Sequence, residues 1–249
     1  MTALTRAWSL IAGYVIVLAH AIAHWHSLGE RSVRRALGRQ IVVTGLQGLP
    51  YIAVIALLFG AVAVTRVIAL LGPDDDTALK NVVWGGLREL GPLLTALIII
   101  VRSGVAIAAE VALMRLRGGI RDTHWRDLDD EDEVVTPRVL GTAISAAALV
   151  SCFQFLALAA ALMASSTTLG TSLEFELDAF LIVAEWQQVP LSIGKGFLFG
   201  AGIATIACWH GLQASQDMVE VPKAVAAACL GAFIYVLVVD LIAAGLTLL

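Results

Sequence analysis

The sequence predicts an all-α membrane protein: an N-terminal interfacial or elbow helix, then five transmembrane helices, with a short cytoplasmic coupling segment between the second and third. Three observations predict it. The 249-residue chain is 59% hydrophobic and only 14% charged, with a mean hydropathy of +0.88, whereas soluble domains carry about 25% charged residues. Its apolar residues fall in runs long enough to cross about 30 Å of hydrocarbon. Its basic residues outside those runs alternate from one connection to the next, as they do when Lys and Arg stay on the cytoplasmic side.

Composition excludes several classes. So hydrophobic a chain is not disordered. A net charge of -4 supplies no overall basic field, so no nucleic-acid partner is expected. Cys152, Cys208 and Cys229 are odd in number, lie in apolar runs and fit neither a disulfide framework nor a zinc site. They read as small buried thiols. No Walker A, Gly-x-Ser-x-Gly or His-Glu-x-x-His pattern occurs, so the chain does not bind ATP by a P-loop.

Residues 1–40 form the first unit. Within it, 8–28 is apolar but carries Trp8, Tyr14, His20, His24, Trp25 and His26. Aromatic and histidine side chains gathered toward one end suit an interfacial helix; a true span and a cleaved signal peptide are the alternatives. His20 and His24 share a helical face in a way that suits metal ligation, but only Glu30 lies near as a further ligand, and no metal is expected. Arg31, Arg34, Arg35 and Arg39 then mark a cytoplasmic elbow.

Residues 41–249 form the second unit. Apolar runs cover 41–71, 82–114, 134–165, 179–212 and 224–249. Several exceed what a perpendicular span needs and must tilt, project or break, with Pro50 and Pro190 as the expected breaks. Between them, 72–81 holds Lys80 as its one basic residue and 166–178 has none, whereas 115–133 holds Arg115, Arg117, Arg121 and Arg126. This places the elbow and 115–133 in the cytoplasm, and 72–81, the polar acidic stretch 166–178 and the C-terminus outside.

Charges inside apolar runs carry the functional information: Arg66, Arg88, Glu89, Arg102, Glu110, Lys195 and Asp240. Each costs at least about 2–3 kcal/mol at mid-bilayer unless paired or wet. Arg88 and Glu89 point about 100° apart on one helix and are not expected to pair with each other. Arg102 and Glu110, eight residues apart, share a face two turns distant. The functional reading is a polar cavity or inter-helix ion pairs beside a transport path. The structural one is a helix end for Arg88 and Glu89, and bundle pairing for Arg102 and Glu110. In 115–133 a basic start gives way to acid from Asp127 on, with Ile120, Trp125 and Leu128 as an apolar patch. That pattern suits a partner-docking element, and a solvated loop is its plainer reading.

The stretch Leu87-Arg88-Glu89-Leu90-Gly91-Pro92-Leu93-Leu94-Thr95-Ala96-Leu97-Ile98, then Arg102-Ser103-Gly104 through Glu110 and Met114-Arg115, resembles the signature of the MlaE/YrbE permeases, the membrane subunits of MCE-type ABC lipid transporters. Gln40-Ile41, Gly45, Leu49-Pro50 and Gly60 resemble its first span. Pro137-Arg138, Lys195, Phe199-Gly200, Gly211, Glu220-Val221 and Asp240 extend the likeness over most of the chain. The resemblance implies an inner-membrane homodimer, a cytoplasmic ABC ATPase subunit, a periplasmic MCE-domain protein and phospholipid or a related lipid as substrate. It implies no cofactor on this chain, with ATP and Mg bound by the partner ATPase, and it puts Arg88, Glu89 and Arg102 near the lipid cavity. ATPase coupling would fall to Gly118, Gly119, Ile120, Asp122, Trp125 and Leu128.

Three places depart from the family pattern, four residues in all. Gly118-Gly119 stands where the family usually has Glu-Gln, at about 1 kcal/mol per Gly in a helix interior. Arg66 replaces a first-span Gln, and Pro222 a Gly. The expected function is a permease moving lipid between the inner membrane and a periplasmic MCE assembly, driven by a separate ATPase and not itself an enzyme. The alternative, motivated by Gly118-Gly119, is a degenerate member acting as a structural or regulatory subunit. An intramembrane enzyme using Glu110 or a His lacks any visible nucleophile–base pair.

Overall fold

The structure is a computed structural model, and it describes residues 12–19, 21, 23, 31–71, 76–116, 129–183, 189–214 and 217–247. His20, His24, Trp25, His26 and the coupling residues Gly118, Gly119, Ile120, Asp122, Trp125 and Leu128 lie outside the described residues.

Every regular element among the described residues is helical. Helix α1 is Arg31–Ile41, and it runs directly into a π-helical turn, Val42–Leu46. Then come α2 (Leu49–Leu71) and α3 (Asp76–Ile99). A second π turn, Ile100–Gly104, joins α3 to α4 (Val105–Leu116). The remainder is α5 (Asp129–Leu169), α6 (Leu173–Val183), α7 (Val189–Gln213) and α8 (Glu220–Thr247). Five segments are long and apolar enough to cross a membrane: Val33–Leu70, Gly85–Leu116, Val134–Leu169, Val189–Gln213 and Glu220–Gly245.

The elbow α1 is amphipathic. Val33 and Gln40 are buried while Arg31, Arg34, Arg35 and Arg39 face out. Gln40 sits against Gly141 of α5, and its amide donates to the hydroxyls of Thr44 (2.9 Å) and Thr142 (3.2 Å). These bonds anchor the elbow to the bundle where an unpartnered amide would cost about 1–3 kcal/mol.

Helices α5 and α7 form the centre. Of the most apolar stretch in α7, 67% is buried, against 28% for the span containing α2 and 17% for α8. Glycines explain how α7 is enclosed. A Cβ on Gly200 would lie 2.6 Å from the Ala146 Cβ of α5, and one on Gly211 would lie 2.8 Å from Val111 of α4. On α2, Gly60 lies directly on the Ala157 carbonyl of α5. In lipid, where the hydrophobic effect does not drive helix association, such close approach does. The N-terminal helical stretch 12–19 packs on α7: the Tyr14 hydroxyl is 3.0 Å from His210 Nε2, and its ring meets Trp209 edge-on at 6.3 Å.

Two connections are shaped by local contacts. The acidic stretch 166–178 is mostly helical: α5 continues to Leu169, Gly170 turns with φ +70°, and α6 starts at Leu173. The Ser172 hydroxyl caps α6 by accepting from the Phe175 N–H at 3.3 Å. The carboxylate of Glu176 is buried because Ser165 and Thr171 donate to its two oxygens at 3.0 and 2.7 Å. The break expected at Pro50 lies just before it, in the π turn and the following Gln47 and Gly48, and Pro50 sits in the first turn of α2 where its missing N–H is harmless.

Candidate functional site

The site grows from a proline. Pro92 inside α3 has no N–H to offer the carbonyl of Arg88, four residues back. The Ser192 hydroxyl of α7 donates to that carbonyl instead, at 3.2 Å. The start of α7 is thereby pinned to α3 beside Arg88 and Glu89.

A chain of charges runs across three helices from this pin. Glu89 Oε1 accepts from Arg88 Nε at 3.1 Å and from its terminal nitrogen at 2.9 Å. Glu89 Oε2 accepts from Lys195 Nζ at 2.8 Å. Lys195 Nζ then lies 2.7 Å from Asp240 Oδ1 of α8. Lys195 is 9% exposed, and its two carboxylate partners are 33% and 22% exposed. Two cations and two anions sum to zero, so the chain brings paired charge into a low-dielectric region with no net charge. The expectation that Arg88 and Glu89 do not pair is overturned. Their Cβ directions do diverge, but the Arg88 side chain is long enough to curl back to its neighbour.

These residues gather at one end of the bundle. Lys195 lies six residues into α7, about 9 Å along it, and Asp240 lies seven residues before the end of α8, about 10 Å from it. Beside them is a cavity of about 600 Å³. Arg88, Glu89, Ser192 and Lys195 give it a polar corner, and Pro190, Leu191, Phe197, Leu198, Val239 and Ala243 give it an apolar wall. Leu191 and Leu198 are exposed, so the cavity opens toward the bundle's outside. An apolar pocket of this volume with a few convergent polar groups has the form of a ligand site.

The other predicted residues stand elsewhere. Arg66 is exposed on α2 and does not line the cavity. Arg102 lies in the second π turn and donates to the Val43 carbonyl (2.9 Å) and to Gln47 Oε1 (3.0 Å), above the Tyr51 ring. Glu110 is half exposed and accepts from Arg138 at 3.2 Å. Arg102 and Glu110 therefore have separate partners, Arg102 within the π turn and Glu110 two turns further along in α4.

Comparison with known proteins places this architecture. The family model described as Permease MlaE matches residues 37–246, which takes in the elbow's last turn, both π turns and the whole charged chain. The chain belongs to the MlaE permease family. As a member of that family it is a multi-pass membrane permease. It is similar to a probable ABC transporter permease protein of Rickettsia conorii, 28% identical over 206 residues covering 80% of this chain and 78% of the relative. A second relative is the intermembrane phospholipid transport system permease protein MlaE of Haemophilus influenzae, 31% identical over 123 residues and 47% of each chain. A third is the chloroplastic protein TRIGALACTOSYLDIACYLGLYCEROL 1 of Arabidopsis thaliana, 26% identical over 157 residues, 62% of this chain and 44% of that one.

Ser192 and Gln47 are members of these sites that sequence reasoning missed. A signal for Ser192 exists: Pro92 announces an unpaired carbonyl at Arg88. What the sequence lacks is any indication that the donor comes from 104 residues away.

Proposed function

We propose that this MlaE-family permease is the membrane subunit of an ABC-type phospholipid transport system. It moves lipid between the inner membrane and a periplasmic MCE-protein assembly, and a separate ATPase chain drives it. The observation that carries the reading is the neutral Arg88–Glu89–Lys195–Asp240 chain beside an apolar cavity that Arg88, Glu89 and Lys195 help to line. A phospholipid has the matching division: a headgroup phosphate for Arg88 and Lys195, and acyl chains for Leu191, Phe197, Leu198 and Val239. An arriving phosphate would take Arg88 and Lys195 from their present carboxylate partners, and the carboxylate so freed must be hydrated at the open side of the cavity.

The remaining parts of the reading follow from placement. With the basic elbow and 115–133 in the cytoplasm, the charged chain lies in the periplasmic half, and the C-terminus is periplasmic. The coupling segment 115–133 then meets the ATPase, which binds ATP and Mg. Helices α2 and α8 keep wide apolar faces, with Val54, Leu58, Leu230, Ile234 and Leu241 exposed. Lipid or a second copy of the chain must cover them, and a homodimer covers part of each.

The test is reconstitution of the native complex, with ATP-driven transfer of labelled phospholipid between vesicles. The account expects co-purifying ATPase and MCE chains and a transfer rate that falls at least tenfold in Lys195→Met. A chain that purifies alone and ignores a co-expressed ATPase would refute it. The alternative, a structural or regulatory subunit, predicts that the wild type is inactive and that Gly118→Glu with Gly119→Gln raises transfer from near zero.

A further inference from the structure

The two π turns are built alike and touch each other. Each is five residues long, and each contains a hydroxyl residue followed by glycine: Thr44-Gly45 in Val42–Leu46, and Ser103-Gly104 in Ile100–Gly104. π-helical turns are rare and costly, and Ser/Gly pairs are where helices bend. Finding two such turns in one small bundle, facing each other from distant stretches of sequence, calls for a physical link. Arg102 is that link. It sits in the second turn and donates to the Val43 carbonyl of the first, while its other terminal nitrogen holds Gln47 just beyond.

The turns also have different anchors. Gln40, Thr44 and Thr142 tie the first to the elbow and α5. In the second, Ser103 and Gly104 are buried, and a Cβ on Gly104 would lie 3.2 Å from Ile203 of α7. The first turn is therefore held by the elbow and α5, and the second by α7. A π turn that relaxes to α geometry rotates the helix beyond it by about 100° and shifts it by about 1.5 Å. For α3 that would turn the Arg88–Glu89 end against α4.

We propose that the two π turns are a paired hinge and that Arg102 is the positioning residue that makes them move together, so that displacement of the elbow is passed to the helix carrying Glu89. The hinge is a property of this chain alone. Its use in lipid movement rests on the function proposed above.

Hydrogen–deuterium exchange on the full-length protein in nanodiscs, with its co-purifying chains, tests the hinge. In Arg102→Gln, amides of both 42–48 and 100–105 exchange about tenfold faster, the effect of one ordinary hydrogen bond lost. Amides of 199–209 in α7 do not change. Arg102→Lys, which keeps charge and one donor, falls between. Acceleration of one turn without the other, of neither, or of α7 as well would overturn the proposal. Where both turns accelerate, Arg102→Gln is expected to lower ATP-driven lipid transfer while ATPase binding persists; unchanged transfer would refute the hinge's role in transport. A wild type that transfers no lipid defeats the function proposed above and leaves the exchange result standing.

Discussion

Lys195→Met isolates the charged chain with little change in volume. In the wild type the ammonium lies 2.8 Å from Glu89 and 2.7 Å from Asp240. Removing it leaves two carboxylates facing each other, with Arg88 still on Glu89 and Asp240 deprived of its Lys195 partner. Breaking a buried pair by deleting one partner costs about 3–5 kcal/mol. Here both carboxylates are partly exposed at a cavity that opens outward, so water relieves some of that cost, and about 3 kcal/mol is the expected loss. At about 2–4 °C per kcal/mol for a chain of this size, the melting temperature in detergent falls by about 6–12 °C. Adding Glu89→Gln and Asp240→Asn removes the uncompensated charge, and the triple variant regains at least half of that loss without regaining transfer. A Lys195→Met protein with wild-type melting temperature would refute the reasoning, because it would mean that the chain is not a paired network in the membrane.

Three further outcomes follow. Gly60→Val drives a branched side chain into the Ala157 carbonyl, and overpacking of about 3 kcal/mol or more removes the monodisperse peak in fluorescence-detected size exclusion. Gln40→Leu strips the buried Thr44 and Thr142 hydroxyls of their shared partner, costs about 1–3 kcal/mol, and makes limited proteolysis at the arginine-rich elbow faster. Glu110→Gln acts on a half-exposed pair with Arg138 worth at most about 1 kcal/mol, so melting moves by no more than about 4 °C and transfer persists.

The spans were legible because hydrophobic length and basic asymmetry are properties of consecutive residues. The predicted runs 82–114 and 134–165 lie within a turn of the observed Gly85–Leu116 and Val134–Leu169. Within the stretch 166–178 the burial of Glu176 by Ser165 and Thr171 was not legible, because no local pattern announces that contact. The error about Arg88 and Glu89 has a physical cause: a fixed rotation of about 100° per residue treats side chains as directions, whereas Arg88 has enough reach to return to Glu89. Lys195 and Asp240 were singled out as costly intramembrane charges, but the pairing of Lys195 with both Glu89 and Asp240 was not readable, because α3, α7 and α8 meet only in the folded bundle.

The central claim is that the cavity beside the charged chain holds a phospholipid, and lipid retention tests it most directly. The native complex, extracted gently and washed extensively, is analysed by mass spectrometry beside the variant Glu89→Gln, Lys195→Met, Asp240→Asn. The account predicts about one retained phospholipid per charged cavity in the wild type and near-complete loss in the variant. Equal retention in the two proteins, at equal stability, would contradict it.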